Sequence, residues 1–430
     1  MSLVKSLLSY LLPVLALTAC ERVPEIAGGA VPKSAVTLLY YFTGALDQNT
    51  AEVTRLFNAQ NPRYELKSMR LQRESFKSSV QDSLKFGQPA DLYSSWAGEP
   101  TAAMVPDLEP LDDIWQTAKL DAHFPPEVVR AASAYQGHTY LLPLTRYDVM
   151  FIYNKHVFAS HNLKPPRSWD EFLSVCATFK SEGVTPIALG AKSRWPTELW
   201  FDMLLLRTAP LEYRERLMQG RERYDGPRVS AVFARWASLF EKGYFNPDAS
   251  DLTWHKGATQ MVLTGKAAMT LTGGWSFDYF KDDAQYGKIG KDYDVFPFPR
   301  ISADLPQVAL GSIDGMVLPK RSTNKQGAKE LLTYLAEPAA QQAFTRGSGA
   351  LAPSTQVPRN AYSDVQQQLV DIRDKSDRFV FLFDLSTPSA VAELGLDAMT
   401  EFVALPKSYP MILNRFATSA AAYFKANPPP

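Results

Sequence analysis

Apolar runs of strand length alternate with stripes of helical spacing along most of the chain. Residues 36–42 are almost entirely apolar and end at Thr43 and Gly44, which predicts a buried central strand. Asn49 then stands three residues before Glu52, a spacing typical of a helix start, and an apolar face follows. The same alternation recurs along the chain and predicts an α/β protein with mostly parallel sheets.

Two further helices have recognisable starts. Ser168 and Glu171 have the spacing of a capping box, and Asn324 precedes a stripe of alanine and leucine side chains. In the first of these helices Cys176 lies on the apolar stripe. We therefore interpret Cys176 as small core filler and not as a nucleophile.

Two segments near the middle of the chain are apolar at both ends and polar at the centre. They are residues 141–154 and residues 308–318. Each has the pattern of a strand that crosses from one domain to another. Two such crossings imply that each domain is built from separate parts of the chain.

The first 35 residues have the pattern of an export signal and a tether. Residues 7–17 form an apolar run that is too short to span a bilayer comfortably, as in the core of a signal peptide. Leu17-Thr18-Ala19-Cys20 resembles the lipobox of bacterial lipoproteins, which implies cleavage of residues 1–19 and lipidation of Cys20. Residues 20–35 then form a tether before the folded part. The alternative is a plain secretory signal in which Cys20 has no role.

Composition and charge exclude several kinds of partner. The 430 residues include 45 Lys and Arg and 45 Asp and Glu, so no net charge draws the chain to nucleic acid or to an acidic membrane surface. The length suggests two large domains or three small ones. Two cysteines cannot form a disulfide framework or a four-thiolate zinc site, and the five histidines are scattered. We therefore expect no metal and no cofactor.

The motifs of common enzyme classes are missing from the sequence. It has no phosphate-binding loop, no dinucleotide-binding glycine pattern, no His-Glu-x-x-His motif and no nucleophile elbow. Tryptophans, in contrast, occur in loops and at predicted strand ends, and indole rings stack on the apolar C–H faces of sugars. A carbohydrate is therefore the expected ligand. The residues concerned are Trp96, Trp195, Trp254 and Trp275, each of which alternatively packs in a core or a hinge.

Five blocks of the chain are similar to the extracellular solute-binding proteins of ABC sugar importers, in particular the maltodextrin- and oligosaccharide-binding type. The most specific block is Gly265-Lys266-Ala267-Ala268-Met269, which is followed by Gly274-Trp275. Pro165 to Phe172 resembles the family's Pro-x-Thr-Trp-Asp-Glu helix start. The other blocks, in the family's order, are residues 57–62, residues 89–93 with Trp96, and residues 142–155.

The resemblance implies the two-lobed periplasmic-binding-protein fold of type II, in which hinge strands join two discontinuous α/β lobes around a ligand cleft. The lobes are expected to close over the bound ligand. The expected N-terminal lobe comprises residues 36–145 and 312–375, and the expected C-terminal lobe comprises residues 147–309 and 380–430.

Ten residues are implied as ligand contacts by their positions in the family pattern. Arg146 is the least generic of them: it is expected to bind paired sugar hydroxyls or a uronate carboxylate, or else to form a hinge salt bridge with Asp314 or Asp148. The ten are Trp275, Gly274 and Trp195 on one wall, Thr43, Gly44, Trp96, Glu99 and Asp314 on the other, and Arg146 and Tyr147 at the cleft floor.

The resemblance also implies a function and partners. The protein is expected to be a carbohydrate-binding receptor without enzymatic activity, which delivers a mono- or oligosaccharide to the permease subunits of an ABC transporter. We expect a monomer, held at the periplasmic or extracellular face of the cell membrane by its lipid anchor alone. One alternative is a secreted glycoside hydrolase or lyase, for which Glu99 and Asp314 are the candidate pair. Another is a purely structural lipoprotein.

Overall fold

The computed structural model describes residues 32–280 and 287–428, so the expected signal peptide and Cys20 lie outside the described residues. Its strands are β1 Ser34–Tyr40, β2 Tyr64–Arg70, β3 Leu92–Trp96, β4 Ala134–Tyr135, β5 His138–Thr139, β6 Leu141–Asn154, β7 Thr185–Ile187, β8 Ala267–Gly273, β9 Tyr293–Phe296, β10 Val308–Val317 and β11 Arg378–Phe381.

The α-helices are α1 Ala45–Gln60, α2 Arg73–Lys85, α3 Glu99–Ala102, α4 Asp112–Thr117, α5 Pro126–Val128, α6 Lys155–Ser160, α7 Trp169–Ser181, α8 Pro196–Thr208, α9 Leu211–Met218, α10 Pro227–Glu241, α11 Thr259–Leu263, α12 Lys325–Ala336, α13 Pro338–Thr345, α14 Asp364–Asp374, α15 Phe383–Ser386, α16 Ser389–Ala404 and α17 Tyr409–Ala426. Short 3₁₀ turns occur at Val105–Asp107, Leu120–Ala122, Ala191–Ser193, Gly274–Tyr279, Arg359–Ala361 and Pro406–Ser408, and π turns at Val129–Ser133 and Trp254–Ala258. Within the described parts of the chain, no helix has the length and hydropathy of a membrane span.

A mixed sheet of nine strands runs through both lobes. Its order is β2-β1-β3-β10-β6-β8-β7, with β11 beside β10 and β9 beside β6. The pairs β1–β2, β1–β3, β7–β8 and β10–β11 are parallel, whereas β6 and β10 pair antiparallel with each other and with β3, β8 and β9. The predicted α/β architecture is confirmed. The sheet is less parallel than expected, because the two strands at its centre pass between the lobes in opposite directions.

The long strand predicted at residues 141–154 is confirmed as β6. Its first part, up to Asp148, pairs with β10 on the side of the N-terminal lobe. Its second part, from Val149 onward, pairs with β8 and β9 of the C-terminal lobe. β6 therefore belongs to both lobes, and the predicted fold of two lobes joined by crossing strands is observed.

Helix starts follow the sequence signals except at α1. Ser168 forms the predicted capping box with Glu171, and the side chain of Asn324 accepts a hydrogen bond from the backbone of α12. α1, however, begins at Ala45, and Asn49 lies inside it, where its side chain donates to two backbone carbonyls of the α13 region. The prediction of Asn49 as the cap is wrong, because an acceptor from the other lobe reaches the helix four residues earlier.

The C-terminal lobe has a second apolar cluster on one side of its sheet. Met150 and Ile152 of β6 pack there with Leu351, Val365 and Leu369. The last three belong to residues 312–375, which are expected from the sequence to lie in the N-terminal lobe. The lobe boundaries stay a prediction, and this packing favours placing residues 351–374 with the C-terminal lobe instead.

Candidate functional site

A cavity of about 730 Å³ lies between the two lobes, where β1, β3 and β8 end. The carboxyl ends of strands are the usual place for ligands in α/β folds, because the loops that follow them diverge and leave a crevice. The N-terminal lobe contributes the loops after β1 and β3 and one face of α2. The C-terminal lobe contributes α8, the turn after β8, and the segment from β11 to α16.

The wall formed by the N-terminal lobe is aromatic. The ring of Tyr41 stacks on Trp96 with centroids 3.8 Å apart and planes 13° apart, and Phe76 packs its edge against both rings. Tyr41 follows β1 and Trp96 ends β3, and these two strands are neighbours in the sheet, which brings the rings together. Thr43 and Glu99 complete the predicted part of this wall.

The opposite wall is built around Trp275, in the 3₁₀ turn after β8. Its ring makes edge contacts with Trp195 at 5.6 Å and with Tyr147 at 5.8 Å between centroids. Trp195 stands just before α8, in a turn that also carries Arg194. The two tryptophans predicted for this wall therefore lie side by side on the cavity.

The crossing strands form the floor of the cavity. Tyr147 of β6 and Asp314 of β10 both line the cavity and are buried. Burial raises the pKa of the Tyr147 hydroxyl well above its ordinary value, and the nearby carboxylates of Asp314 and Asp278 raise it further. Tyr147 is therefore a neutral group at physiological pH, able to donate one hydrogen bond. Seven of the ten predicted contacts, counting Thr43, Trp96, Glu99, Tyr147, Trp195, Trp275 and Asp314, line this one cavity.

The lining is rich in carboxylates. Some of them have partners within the protein: Glu198 accepts a hydrogen bond from the backbone N–H of Asp384 at 2.9 Å, Asp278 accepts the N–H of Ala45 at 3.1 Å, and Glu393 forms an ion pair with Arg194 at 2.7 Å. Among the described side chains that line the cavity, none is Lys, Arg or His. The carboxylates are Glu99, Glu198, Asp278, Asp314, Asp384 and Glu393.

Glu99 is predicted to make the stability of the ligand-free protein depend on pH. Burial raises the pKa of its carboxyl above the ordinary value, so ionisation of Glu99 destabilises the folded state once the pH exceeds that raised pKa. We expect Glu99→Gln to raise the melting temperature at pH 7. The gain should vanish near pH ~4, where Glu99 is largely protonated in both folded and unfolded chains.

Differential scanning fluorimetry at the two pH values measures this effect. Glu127→Gln removes an exposed carboxylate from the same lobe and serves as the matched control, with no gain expected at either pH. An equal gain for Glu99→Gln at both pH values would contradict the assignment, because it would come from a cause other than the charge.

Arg146 is buried beside the cavity and is not among its lining residues. Its guanidinium donates to the carboxylate of Asp148 at 2.9 Å and lies over the ring of Phe379, 4.5 Å from the centroid. Of the alternatives that the sequence left open, the structure contains the salt bridge with Asp148. The buried guanidinium thus has a carboxylate partner within β6 and an aromatic partner in β11, and it packs these two strands against each other.

Gly44 and Gly274 also do not line the cavity. At both positions the lack of a side chain lets another part of the protein come close to the backbone. Gly44 has a φ of 60°, and a Cβ at this position would lie 1.8 Å from the Asp278 carboxylate. That carboxylate accepts the N–H of Ala45 at 3.1 Å, which joins the two lobes at the start of α1. A Cβ on Gly274 would lie 2.1 Å from the carbonyl oxygen of Gly349. Both glycines thus serve contacts inside the protein, whereas the resemblance implied contacts with ligand.

Many lining residues were not predicted from the sequence, and five of them with polar side chains show why. Asp278 follows Trp275 by one turn and Tyr41 directly follows β1, so both stand at the flanks of patterns that are visible in the sequence. Glu198 lies inside a helix that is buried on all sides and therefore gives no amphipathic signal. Asp384 and Tyr423 come from the last part of the chain, where the family pattern is weak.

The described residues contain no cluster of three or more His, Cys, Asp or Glu side chains arranged to hold a metal ion. The carboxylates of the cavity are candidates for hydrogen bonds to a ligand. Carboxylates accept bonds from hydroxyl and ammonium groups, and they do so most strongly where water is excluded.

Two α/β lobes that share crossing strands and enclose a cavity define a ligand-binding protein of the two-lobed periplasmic type. The chain belongs to the bacterial extracellular solute-binding protein family, whose sequence profile matches residues 74–342. This result confirms the family that the sequence motifs indicate.

Relatives and solved structures agree with this family. An uncharacterized ABC transporter extracellular-binding protein of Pyrococcus horikoshii is 28% identical over 334 residues, which are 76% of this chain and 73% of that protein. A probable sugar-binding periplasmic protein of Brucella suis is 25% identical over 283 residues, or 64% of this chain and 65% of that protein. The bacterial solute receptor AcbH has a similar fold, with a TM-score of 0.84 at 24% identity over 91% of this chain and all of that chain. The maltotriose binding protein of Thermus thermophilus, bound with maltotriose, has a TM-score of 0.69 at 18% identity over 90% of this chain and all of that chain.

The family is one of solute-binding receptors and not of enzymes, so the prediction of a receptor without catalytic activity is confirmed. The hydrolase hypothesis gains no support, although Glu99 and Asp314 do line the same cavity.

Proposed function

We propose that the cavity binds a carbohydrate and that the protein delivers it to the permease of an ABC transporter. One observation carries the proposal: aromatic rings line the cavity from both lobes, and carboxylates lie between them. Trp96 on one wall and Trp275 on the other offer apolar surfaces to the faces of a sugar ring. Asp314 on the floor accepts hydrogen bonds from hydroxyl groups at its rim. A sugar needs both kinds of contact at once, because its faces are apolar and its edge is polar.

The relatives support a sugar as the ligand. Several are named probable sugar-binding periplasmic proteins, and a Pyrococcus abyssi relative, 26% identical over 238 residues, is named a maltotriose-binding protein. These names describe those proteins. Together with the aromatic lining of the cavity, the similarity to these proteins favours a carbohydrate over other classes of solute as the ligand of this protein.

Closure of the lobes couples binding to transport in this proposal. The lobes touch at the start of α1, where Asp278 accepts the N–H of Ala45, and at Gly98, whose Cα faces the carbonyl oxygen of Leu385. A ligand that touches both walls adds contacts that exist only when the lobes are together. It therefore shifts the population toward the form with the lobes together, which the permease would recognise.

A screen of purified protein against saccharides tests the function. Glucose, galactose, xylose and N-acetylglucosamine, each with its oligosaccharides, are added in thermal-shift assays, and Kd values of the best ligands are measured by calorimetry. We expect at least one saccharide to bind near micromolar Kd, about 8 kcal/mol. Chromatography should recover that saccharide unaltered. Cleavage of the sugar would support the hydrolase instead, and no binding by any saccharide would contradict the proposal.

The acidic lining predicts selection against acidic sugars. Carboxylates in a cleft of low dielectric repel the negative charge of a uronate. The uronate also loses its hydration on entering the cleft, and the lining offers no cation to compensate for that loss. In the same screen, we expect glucuronic acid, galacturonic acid and their oligosaccharides to give no thermal shift at concentrations where a neutral analogue does. A uronate that binds more tightly than its neutral analogue would show that the described lining does not control the charge of the ligand.

We further propose that the protein is a monomer held at the outer face of the cell membrane by a lipid on Cys20. The lipobox-like motif at residues 17–20 supports the anchor, and the extracellular family supports the location. Membrane fractionation of cells that express Cys20→Ala tests the anchor, since loss of the lipid should release the protein from the membrane fraction.

A further inference from the structure

A hydrogen bond joins the two lobes beside the cavity. The backbone N–H of Ala45, in the N-terminal lobe, donates to the carboxylate of Asp278 on the opposite wall, and the nitrogen lies 3.1 and 3.3 Å from the two carboxylate oxygens. Asp278 lines the cavity, whereas Ala45 does not. Because the donor and the acceptor belong to different lobes, this bond exists only while the lobes are together, and it needs no ligand.

Asp278 supplies a cap that the local sequence of α1 lacks. The N-terminal end of a helix carries unpaired N–H groups and a partial positive charge. The residue that precedes α1 is Gly44, which has no side chain to accept a hydrogen bond from the first turn. The carboxylate of Asp278 accepts one of these N–H groups and places a negative charge at this end of the helix. When the lobes separate, the first turn of α1 therefore loses its cap.

Gly44 leaves room for the carboxylate. Its φ of 60° lies in the left-handed region that favours glycine. A Cβ at this position would lie 1.8 Å from one oxygen of Asp278, and the three atoms nearest to it all belong to Asp278. Gly44 does not line the cavity. A side chain at position 44 would thus obstruct the contact between the lobes without changing the lining that a ligand meets.

We propose that Asp278 and the start of α1 form a latch, which stabilises the closed form, with the lobes together, and so raises the affinity for every ligand by the same factor. Asp278 is then a positioning residue that acts through the closure of the lobes. The effect on affinity rests on the proposed function, since it requires a ligand that binds between the lobes. The effect on the shape of the ligand-free protein does not. Loss of a helix cap corresponds to a change of roughly three- to thirtyfold in the closing equilibrium.

Small-angle X-ray scattering of the ligand-free protein tests the latch without a saccharide. Asp278→Ala removes the acceptor, and we expect its radius of gyration to exceed that of the wild type. Asp278→Asn keeps an oxygen that can accept the N–H of Ala45 and should restore most of the wild-type value. Asp304→Ala removes an exposed carboxylate from the same lobe and serves as the matched control, with no change expected. Equal radii for wild type and Asp278→Ala would overturn the latch.

Calorimetry with a monosaccharide and an oligosaccharide that bind in the screen tests the effect on affinity. We expect Asp278→Ala to raise both Kd values by one common factor of roughly three to thirty, because the closed form is less populated whichever ligand is used. A residue that contacts the ligand directly would affect the two saccharides unequally. Factors that differ by more than about threefold would identify Asp278 as a ligand contact and overturn its role as a latch.

A double variant assigns the effect to the contact between the lobes. Gly44→Ala obstructs the latch from outside the cavity, so it should raise the Kd of a single saccharide by a factor similar to that of Asp278→Ala. Once Asp278 is replaced by alanine the obstruction is gone, and adding Gly44→Ala should raise the Kd by less than about twofold further. Fully multiplicative effects would overturn the latch. Circular dichroism verifies folding, because alanine is strained at this φ, and Asp278→Ala remains a test if Gly44→Ala does not fold.

The latch and the proposed function fail separately. If none of the saccharides binds, the proposed function falls, and scattering of the ligand-free protein still decides the latch. If a saccharide binds and the ligand-free radii of wild type and Asp278→Ala are equal, the latch falls and the proposed function stands.

Discussion

Replacing Trp275 by alanine is expected to weaken saccharide binding by roughly ten- to a hundredfold, or about 1.4–3 kcal/mol. The ring lines the cavity and also contacts Trp195 and Tyr147, so its removal takes away one stacking surface and loosens two neighbours. Calorimetry with the best saccharide from the screen measures the loss. Large aromatic residues at the centre of a binding site commonly have effects of this size, because they exclude water as well as making contacts.

The control for this variant keeps the aromatic face. Trp275→Phe should bind within a few-fold of wild type, whereas a general disturbance of the turn after β8 would weaken both variants alike. Near-ultraviolet circular dichroism verifies that each variant is folded. If the folded alanine variant binds the saccharide with an unchanged Kd, the cavity is not the ligand site.

The architecture could be predicted from sequence because its central strands are unusual. A strand of 14 residues such as β6, apolar throughout except near its middle, has few explanations other than a crossing between two lobes. The start of α1 could not be predicted in the same way. It depends on Asp278, which is more than 230 positions away along the chain and belongs to the opposite wall of the cavity.

The candidate site was predictable where residues follow strand ends and unpredictable where they come from buried helices. Trp96 and Trp275 stand at the carboxyl ends of β3 and β8, so their positions follow from strand order. Arg146 shows the limit of this reasoning. It lies beside the cavity and does not line it, and its side chain pairs with Asp148 because a buried guanidinium needs a nearby carboxylate partner. Only the folded chain shows which carboxylate that is.

Replacing Arg214 by methionine is expected to lower the free energy of unfolding by about 3–5 kcal/mol. The Arg214 and Asp202 side chains are only 4% and 0% exposed, and the guanidinium donates to the carboxylate at 2.9 Å. Arg214 also donates to the carbonyl of Phe381 at 2.7 Å, while Asp202 accepts the N–H of Phe383 at 2.7 Å. The variant would leave a buried carboxylate without its cation. Urea unfolding of the ligand-free protein at pH 7 measures the change.

A double variant separates the buried charge from the lost packing. Asp202→Asn removes the charge and keeps an oxygen for the Phe383 N–H, so Asp202→Asn with Arg214→Met should be more stable than Arg214→Met alone. An unpaired buried carboxylate has a raised pKa, and the folded state then binds the proton more tightly than the unfolded chain does. The deficit of Arg214→Met should therefore shrink as the pH falls from 7 toward about 5.

The same network has a consequence for binding. Phe381 and Phe383 flank Leu382, which lines the cavity, and Asp384 follows directly. Without Arg214, the carbonyl of Phe381 loses its hydrogen bond, and the segment that carries Leu382 is held less firmly. Arg214→Met should therefore weaken saccharide binding, although Arg214 does not line the cavity. A loss of stability below about 1 kcal/mol would show that the pair is not needed to hold the segment between β11 and α15 in place. Unchanged binding in a clearly destabilised variant would show that this wall of the cavity is held by the helices alone.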